Sequence, residues 1–138
     1  MKNKMAYLIY TLSLLTPYTV TAQDNTSGTW IVFQGCEHLE SEEEKSHCFD
    51  QKFKEFISKN LRYPQEAINS AIQGTVYVRF TIDVNGDVKE ITVTKGVHKS
   101  IDEEAIRLIS LLPKFKPATL NGNNVSRVLN FPLNFTLK

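Results

Sequence analysis

The sequence predicts an α+β fold in which a small antiparallel β-sheet, with a β-β-α-β core, carries the preceding helices packed on one face. Residues 74–82 alternate between apolar and polar side chains, and Asn85-Gly86 then supplies a turn before a second strand. Residues 42–61 and 101–112 repeat apolar side chains at helical spacing. A last alternating stretch, residues 126–137, completes the predicted sheet.

The first 22 residues have the layout of a secretory signal peptide. Two lysines precede a mostly apolar run over residues 5–15, and a short segment of small residues ends at Ala22, where we expect cleavage. A membrane anchor is the alternative, because residues 5–22 are nearly long enough to span a bilayer. Pro17 and several hydroxyl side chains disfavour that alternative, so we expect an exported chain.

The two cysteines, Cys36 and Cys48, predict a disulfide. An exported protein meets oxidising conditions, and an even number of cysteines then favours pairing. The alternative is a zinc site in which His38 and His47 join the two cysteines as ligands. Adjacent His47 and Cys48 converge poorly on one tetrahedral ion, so the spacing favours the disulfide.

The region before the hairpin predicts a short strand and two helices. Residues 29–33 are bulky or β-branched and predict the strand. Residues 42–61 predict a helix with acids at its start, lysines towards its end, and one apolar stripe formed by Phe49, Phe53, Phe56 and Ile57. Tyr63-Pro64 ends this helix, because a residue before proline avoids helical dihedrals, and a second helix follows over residues 65–71.

The hairpin over residues 74–96 is predicted down to its register. Asn85-Gly86 suits a type I′ turn because both residues tolerate positive φ. With these two residues as the loop, the apolar side chains of both strands fall on one face of the sheet. The predicted cross-strand pairs are Val84 with Asp87, Phe80 with Ile91, and Val78 with Val93.

A helix and a final strand follow the hairpin. Residues 100–103 form a capping box, in which the Ser100 hydroxyl and the Glu103 carboxylate accept free amides of the first helical turn, and Pro113 ends the helix. The last strand covers residues 126–137 and contains Pro132. Proline cannot donate a ladder hydrogen bond and is largely confined to edge strands, so we predict that the last strand lies at the edge of the sheet.

Composition and motifs disfavour nucleic-acid binding and catalysis. Acids dominate residues 23–51 and bases are in excess from Lys52 onward, without a basic run interleaved with aromatics. The histidines lack a convincing nucleophile partner. Asp102, Glu103 and Glu104 begin a helix, where dipole stabilisation explains them better than catalysis does. We therefore expect a protein that is not an enzyme and that needs no cofactor.

The arrangement resembles the C-terminal domain of TonB-family proteins over residues 61–137. Each matching segment is short, but their order and spacing together are specific. The segments are Tyr63-Pro64, Ala67 and Ala71, residues 74–82, Asn85-Gly86 with Val88, Val93, Gly96, Ile101-Asp102 with Glu104-Ala105, residues 113–117, Asn121-Gly122, and Pro132 with Phe135.

The resemblance implies a periplasmic domain that grips the TonB box, a short peptide of TonB-dependent outer-membrane transporters. Such a domain supports transmembrane transport of nutrients such as iron–siderophore complexes. In this family the peptide adds as a strand beside the domain's last strand, which is β-augmentation. The residues to which the resemblance assigns partner binding are Tyr63, Pro64, Arg127, Val128, Leu129, Asn130, Phe131, Pro132, Leu133, Asn134 and Phe135.

The predicted organisation is a signal peptide over residues 1–22, an N-terminal extension over residues 23–60, and a TonB C-terminal-like domain over residues 61–138. Residues 32–37, with a second cysteine and a helix after them, resemble exported members from Bacteroidetes-type bacteria. No proline-rich spacer precedes the domain, and membrane contact is expected only if the N-terminal segment stays uncleaved. The alternative function is a cell-envelope adaptor that reuses the fold without energy coupling, and homodimer formation stays open.

Overall fold

The computed structural model describes residues 28–138, so the predicted signal peptide lies outside the described residues. Within that range the fold is α+β, as predicted. The helices are α1 (Glu42–Asn60), α2 (Gln65–Asn69) and α3 (Lys99–Ser110). The strands are β1 (Gly28–Thr29), β2 (Gly74–Ile82), β3 (Val88–Lys95), β4 (Ala118–Leu120), β5 (Asn123–Val125) and β6 (Arg127–Phe135). No helix of this part of the chain is both long and apolar enough to cross a bilayer.

The main sheet has the strand order β3-β2-β6, and its neighbours are antiparallel. β2 pairs with β6 without a register shift, from Gly74 opposite Phe135 to Ile82 opposite Arg127. With α3 between β3 and β6 in sequence, these strands form the predicted β-β-α-β core. Among the described strands β6 pairs with β2 alone, which confirms that the last strand lies at the edge of the sheet.

A second small sheet, in the order β1-β4-β5, was not predicted. The strand expected over residues 29–33 is wrong for most of its length, because only Gly28–Thr29 pairs as a strand and Val32 makes an isolated bridge to Lys116. The side chains of Ile31, Val32 and Phe33 are all buried. These apolar side chains therefore pack in the core, although the backbone of these residues forms no regular strand ladder.

The core lies between the main sheet and the helices. The inward-facing residues of β2 are fully buried, as the alternation predicts: Val76, Val78, Phe80 and Ile82. Helix α3 buries Ile101, Ala105, Leu108 and Ile109. From α1, the rings of Phe49 and Phe53 stack on Phe131 of β6, with centroid distances of 5.9 and 4.5 Å. These rings join the N-terminal extension to the sheet.

The predicted turn of the hairpin is wrong by one residue. Val78 lies opposite Val93 as predicted, but Val84 does not lie opposite Asp87. The loop instead has three residues, 84–86, and is closed by a 2.9 Å hydrogen bond from the N–H of Asp83 to the carbonyl of Asp87. This is the hairpin class in which a turn is followed by a residue at positive φ, here Gly86 at 88°.

The side chain of Asp83 explains the longer loop. Its Oδ1 accepts hydrogen bonds from the N–H groups of Asn85 and Asp87, both at 2.9 Å, and thereby organises the turn. The bond from Asp87 is the main cause that holds the pKa of Asp83 below its usual value. The longer loop shifts the strand register by one residue, and a bulge between Arg79 and Thr81 restores the predicted register. Phe80, which was predicted to lie opposite Ile91, lies within this bulge.

The start of α3 also differs from the prediction. Its N-cap is His98 rather than Ser100, and the His98 Nδ1 accepts the N–H of Ser100 at 3.2 Å. Asp102 accepts the N–H of Val97 at 2.9 Å, while Glu103 pairs with Lys99. An imidazole nitrogen thus replaces the predicted hydroxyl as the cap, because it reaches the free amide from an earlier position.

The predicted disulfide between Cys36 and Cys48 is present, with the two Cα atoms 6.0 Å apart. Cys36 is fully buried, and Cys48 lies on α1 beside Phe49. The ring of Phe49 meets that of Phe33 edge-on at 5.6 Å. The bridge therefore fastens the loop before α1 to the helix, and its sulfur atoms are not available for the alternative zinc site.

Gly86→Ala is expected to lower the free energy of unfolding by more than about 2 kcal/mol. A Cβ at this position would lie 1.9 Å from the carbonyl oxygen of Phe115, whose N–H donates to the Gly86 carbonyl. The control is Gly122→Ala, since Gly122 also has positive φ but no atom within 4 Å of the added carbon. Urea unfolding should show a loss of about 1 kcal/mol for the control. Equal losses would contradict the tight docking of the turn.

Replacing both cysteines by alanine is expected to cost about 3 kcal/mol of stability, because the bridge restricts the unfolded chain. The bridged residues are 12 apart in sequence. Urea unfolding of the wild type with and without reductant, compared with the Cys36→Ala/Cys48→Ala variant, measures this contribution. A reductant effect on the double variant as large as that on the wild type would contradict it.

Candidate functional site

The free side of β6 presents a row of backbone groups that we call the outer edge. Tyr77, which lies opposite Pro132, accepts a hydrogen bond on its carbonyl from the Thr94 hydroxyl at 3.2 Å, so its backbone faces β3. Successive residues of a strand direct their backbone groups to opposite sides, and directly opposed non-bonded residues face away from each other. Pro132 therefore faces away from β2.

The same alternation assigns the other residues of the outer edge. By this alternation, even-numbered residues of β6 face away from β2 and odd-numbered residues face towards it. The N–H of Leu137 agrees, because it donates to Oε1 of Gln73, just before β2, at 2.7 Å. The residues whose backbone N–H and C=O groups face away from β2 are Val128, Asn130, Pro132 and Asn134. They offer four carbonyl acceptors but only three N–H donors, because proline has none. Pro132 is tolerated in this strand because the donor it lacks would have faced away from β2.

The side chains of β6 divide between the two faces of the sheet. Leu129, Leu133 and Phe135 are buried against the core. Val128 is 57% exposed on the other face, together with Asn130, Pro132 and Asn134. The buried side chains of Leu133 and Phe135 therefore hold the backbone of β6 against the core.

The opposite edge of the main sheet, formed by β3, is less suited to pairing with another strand. The β2–β3 ladder has two register shifts, and Glu90 of β3 has a φ of 55°. Lys89 and Lys95 are exposed on the same strand. Bulges and lysines are the common means by which proteins block an edge strand. The regular ladder of β6 is free of such a shift along its described length.

Tyr63 supports the C-terminal end of β6 from inside. Its ring meets Phe135 edge-on, with centroids 5.8 Å apart, and its hydroxyl donates to the carbonyl of Ile72. Pro64 is the N-cap residue of α2 and is partly buried. The structure thus brings Tyr63 to the inward face of the strand, whereas Pro64 positions the following helix.

An ion pair between a buried carboxylate and a partly buried guanidinium holds the segment that leads into Tyr63. Both Nε and Nη2 of Arg107 donate to the Glu104 carboxylate at 2.7 Å, and Nη2 also donates to the carbonyl of Asn60 at 2.8 Å. The N–H of Arg62 donates to the same carboxylate at 2.7 Å. Burial of Glu104 disfavours its charge, but the hydrogen bonds from Arg107 and Arg62 outweigh burial and hold its pKa below the usual value.

The sequence did not predict the partners of Glu104. The sequence predicts one helix-dipole role for residues 102–104. In the structure Asp102 accepts the N–H of Val97, Glu103 pairs with exposed Lys99, and Glu104 is only 8% exposed. The three-residue spacing from Glu104 to Arg107 was the available signal for an ion pair within the helix. The contacts with Asn60 and Arg62 depend on tertiary packing.

A groove of about 330 Å³ lies beside the inward-facing side of β6, and the sequence did not predict it. Leu129 and Phe131 of β6 form one wall, and Phe49 of α1 and the segment around Trp30 form the others. The Trp30 ring is 49% exposed and lies 5.5 Å from the guanidinium of Arg127. The sequence predicts Trp30 only as part of the strand over residues 29–33.

This architecture, an edge strand supported by a β-β-α-β core, is that of the TonB class of C-terminal domains. The chain belongs to the family described as the Gram-negative bacterial TonB protein C-terminal, whose family model matches residues 59–137. It is 30% identical over 83 residues to "Protein TonB" of two strains of Xanthomonas campestris pv. campestris. The match covers 58% of this chain and 37% of each relative, so the chain spans well under half of their length.

A solved structure agrees with the family assignment. The NMR solution structure of the TonB C-terminal domain of Helicobacter pylori is similar over 76% of this chain and 91% of that chain, with a TM-score of 0.53 and 29% sequence identity.

Glu104→Gln is expected to lower the free energy of unfolding by about 2 kcal/mol at pH 7, because the Arg107 guanidinium and the Arg62 amide lose a charged acceptor. Since the pKa of Glu104 is lower in the folded state, its contribution is fully present above the unfolded pKa of about 4.3 and is lost as the pH falls through the folded pKa. Urea unfolding of both proteins from pH 7 to pH 3 should therefore show the two stabilities converging in acid.

Glu103→Gln is the matched control for this experiment. Glu103 lies on the same helix and changes by the same charge, but its pair with Lys99 is exposed. Exposed pairs contribute little to stability, so the control should unfold like the wild type at neutral pH. A loss in the control equal to that in Glu104→Gln would assign the effect to the helix dipole instead of the buried pair.

Proposed function

We propose that this chain is a periplasmic TonB-like module that binds the TonB-box peptide of outer-membrane transporters by adding it as a strand to the outer edge of β6. The observation that carries the proposal is that β6 pairs regularly with β2 on one side and with no described strand on the other. An edge with unpaired amides and carbonyls is what strand addition requires. Membership of the family supports the choice of peptide.

The outer edge supplies affinity through the backbone and limits the register of the peptide. A single hydrogen bond contributes a net 0.5–1.5 kcal/mol, roughly, so three donors and four acceptors can hold a short strand. The missing donor at Pro132 disfavours any register in which a peptide carbonyl would need it. Tyr63 and the inward-facing side chains of β6 keep the edge in place during binding.

Through this contact the module would support transport of nutrients such as iron–siderophore complexes by the bound transporter. The proposed location is the periplasm, because the predicted N-terminal signal peptide would export the chain. In this proposal residues 61–138 are the binding domain and residues 23–60 are its extension. The disulfide between Cys36 and Cys48 is compatible with an oxidising compartment outside the cytoplasm.

Asn130→Pro is expected to weaken binding of a TonB-box peptide by about tenfold, because it removes one outward N–H while leaving the ladder with β2 intact. Asn130 is exposed and already extended within β6. The matched control is Asn130→Ala, which changes the side chain but keeps the N–H, and it should bind nearly as well as the wild type. Titration followed by NMR on the isotope-labelled chain gives the affinity and the amide shifts together.

The amide shifts of the wild type should concentrate along residues 126–137. Absence of binding, with no shift along that strand, would contradict the proposed function. Equal weakening by both Asn130 variants would instead assign recognition to the side chain. Sedimentation of the unliganded chain over the same concentrations measures whether a second copy of the chain binds to the outer edge. Capture of another envelope protein by a chain that ignores TonB-box peptides would favour the adaptor alternative.

A further inference from the structure

We infer that the groove beside β6 is a specificity pocket that receives apolar side chains of the added strand. The inference deepens the proposed function and rests on it, since it needs a strand on the outer edge. The groove is lined by Trp30, Ser46, Phe49, Asp50, Leu129 and Phe131, among others. Its occupant is an aliphatic or aromatic side chain of the partner peptide.

The groove lies where a strand added to the outer edge would place some of its side chains. Neighbouring strands lie about 4.8 Å apart, and directly opposed residues direct their side chains to the same face. A peptide on the outer edge therefore places alternate side chains next to Leu129 and Phe131, on the inward side of β6. Those two residues form one wall of the groove, so the groove is continuous with the edge.

The chemistry of the groove suits an apolar guest. Phe131 is only partly buried, unlike Leu129 and Leu133 beside it on the same face, and the Trp30 ring is 49% exposed. These aromatic surfaces gain stabilisation when an apolar side chain removes them from water. A volume of about 330 Å³ is at the small end of ligand pockets, which suits single side chains.

The walls of the groove are joined by contacts between the N-terminal extension and β6. The Arg127 guanidinium lies 5.5 Å from the Trp30 ring, and Phe49 stacks on Phe131 at 5.9 Å. The disulfide at Cys48 fixes the neighbouring part of α1. Trp30, Ser46, Phe49 and Asp50 all precede residues 59–137, the part that matches the family, so the extension adds this pocket to the family domain.

The test compares two eight-residue peptides, one of alternating threonine and leucine and one of alternating threonine and alanine, each with two terminal lysines. The wild-type chain should bind the leucine peptide about tenfold more tightly, because its side chains bury more apolar area. Trp30 is the single tryptophan of the chain, so its fluorescence should change with the leucine peptide and much less with the alanine peptide.

Ser46→Phe is the test variant, because its ring fills the groove from an exposed position on α1. It should reduce the tenfold preference to about twofold or less while the alanine peptide still shifts the amides of residues 127–135. Ser58→Phe is the matched control, since Ser58 is exposed on the same helix outside the groove. The control should keep the preference.

The outcomes separate this inference from the proposed function. If both peptides shift the β6 amides with equal affinity and Trp30 fluorescence stays constant, the pocket is refuted while strand addition stands. A preference that survives in Ser46→Phe also refutes the pocket. If neither of these peptides nor any TonB-box peptide shifts β6, both proposals fail. A Trp30 signal that changes on dilution of the unliganded chain would assign the groove to a second copy and overturn the inference.

Discussion

The regular antiparallel ladder between β2 and β6 organises both the main sheet and the core. It joins segments more than 40 residues apart in sequence, from Gly74 with Phe135 to Ile82 with Arg127. It makes β2 the central strand, and the inward face of β2 becomes the floor of the core. Because the inner side of β6 is used up by this ladder, its outer side is the surface at which another strand can add.

Aromatic stacking connects this sheet to the N-terminal extension. Phe131 of β6 contacts Phe49, Phe53 and Phe80 through ring stacking. The extension is tied a second time at Asn60, whose carbonyl accepts a hydrogen bond from Arg107 of α3. The helix therefore lies under the edge strand, and Phe49, which precedes the family domain, both supports that strand and lines the groove beside it.

The two Asn-Gly pairs show how far local sequence could predict the fold. Asn121 and Gly122 both have positive φ and form the two-residue loop that such pairs favour. The same pair at Asn85 forms part of a three-residue loop, because the Asp83 carboxylate accepts two amides of the turn. The dipeptide preference was correct for a turn, but a side chain two residues earlier decided its type. The edge position of Pro132 was predictable because it rests on an absent donor, which no packing can restore.

The sequence alone was enough to predict the α+β class, the inward faces of the strands and helices, the disulfide partners and the edge strand. These follow from side-chain periodicity, from the number of cysteines and from proline's missing N–H, which are local properties. Three features depend on tertiary packing: which backbone groups of β6 face away from β2, how Glu104 holds the segment before Tyr63, and the position of Trp30 beside Arg127. Those features bring together residues far apart in the chain, and their contacts form only when the whole core is packed.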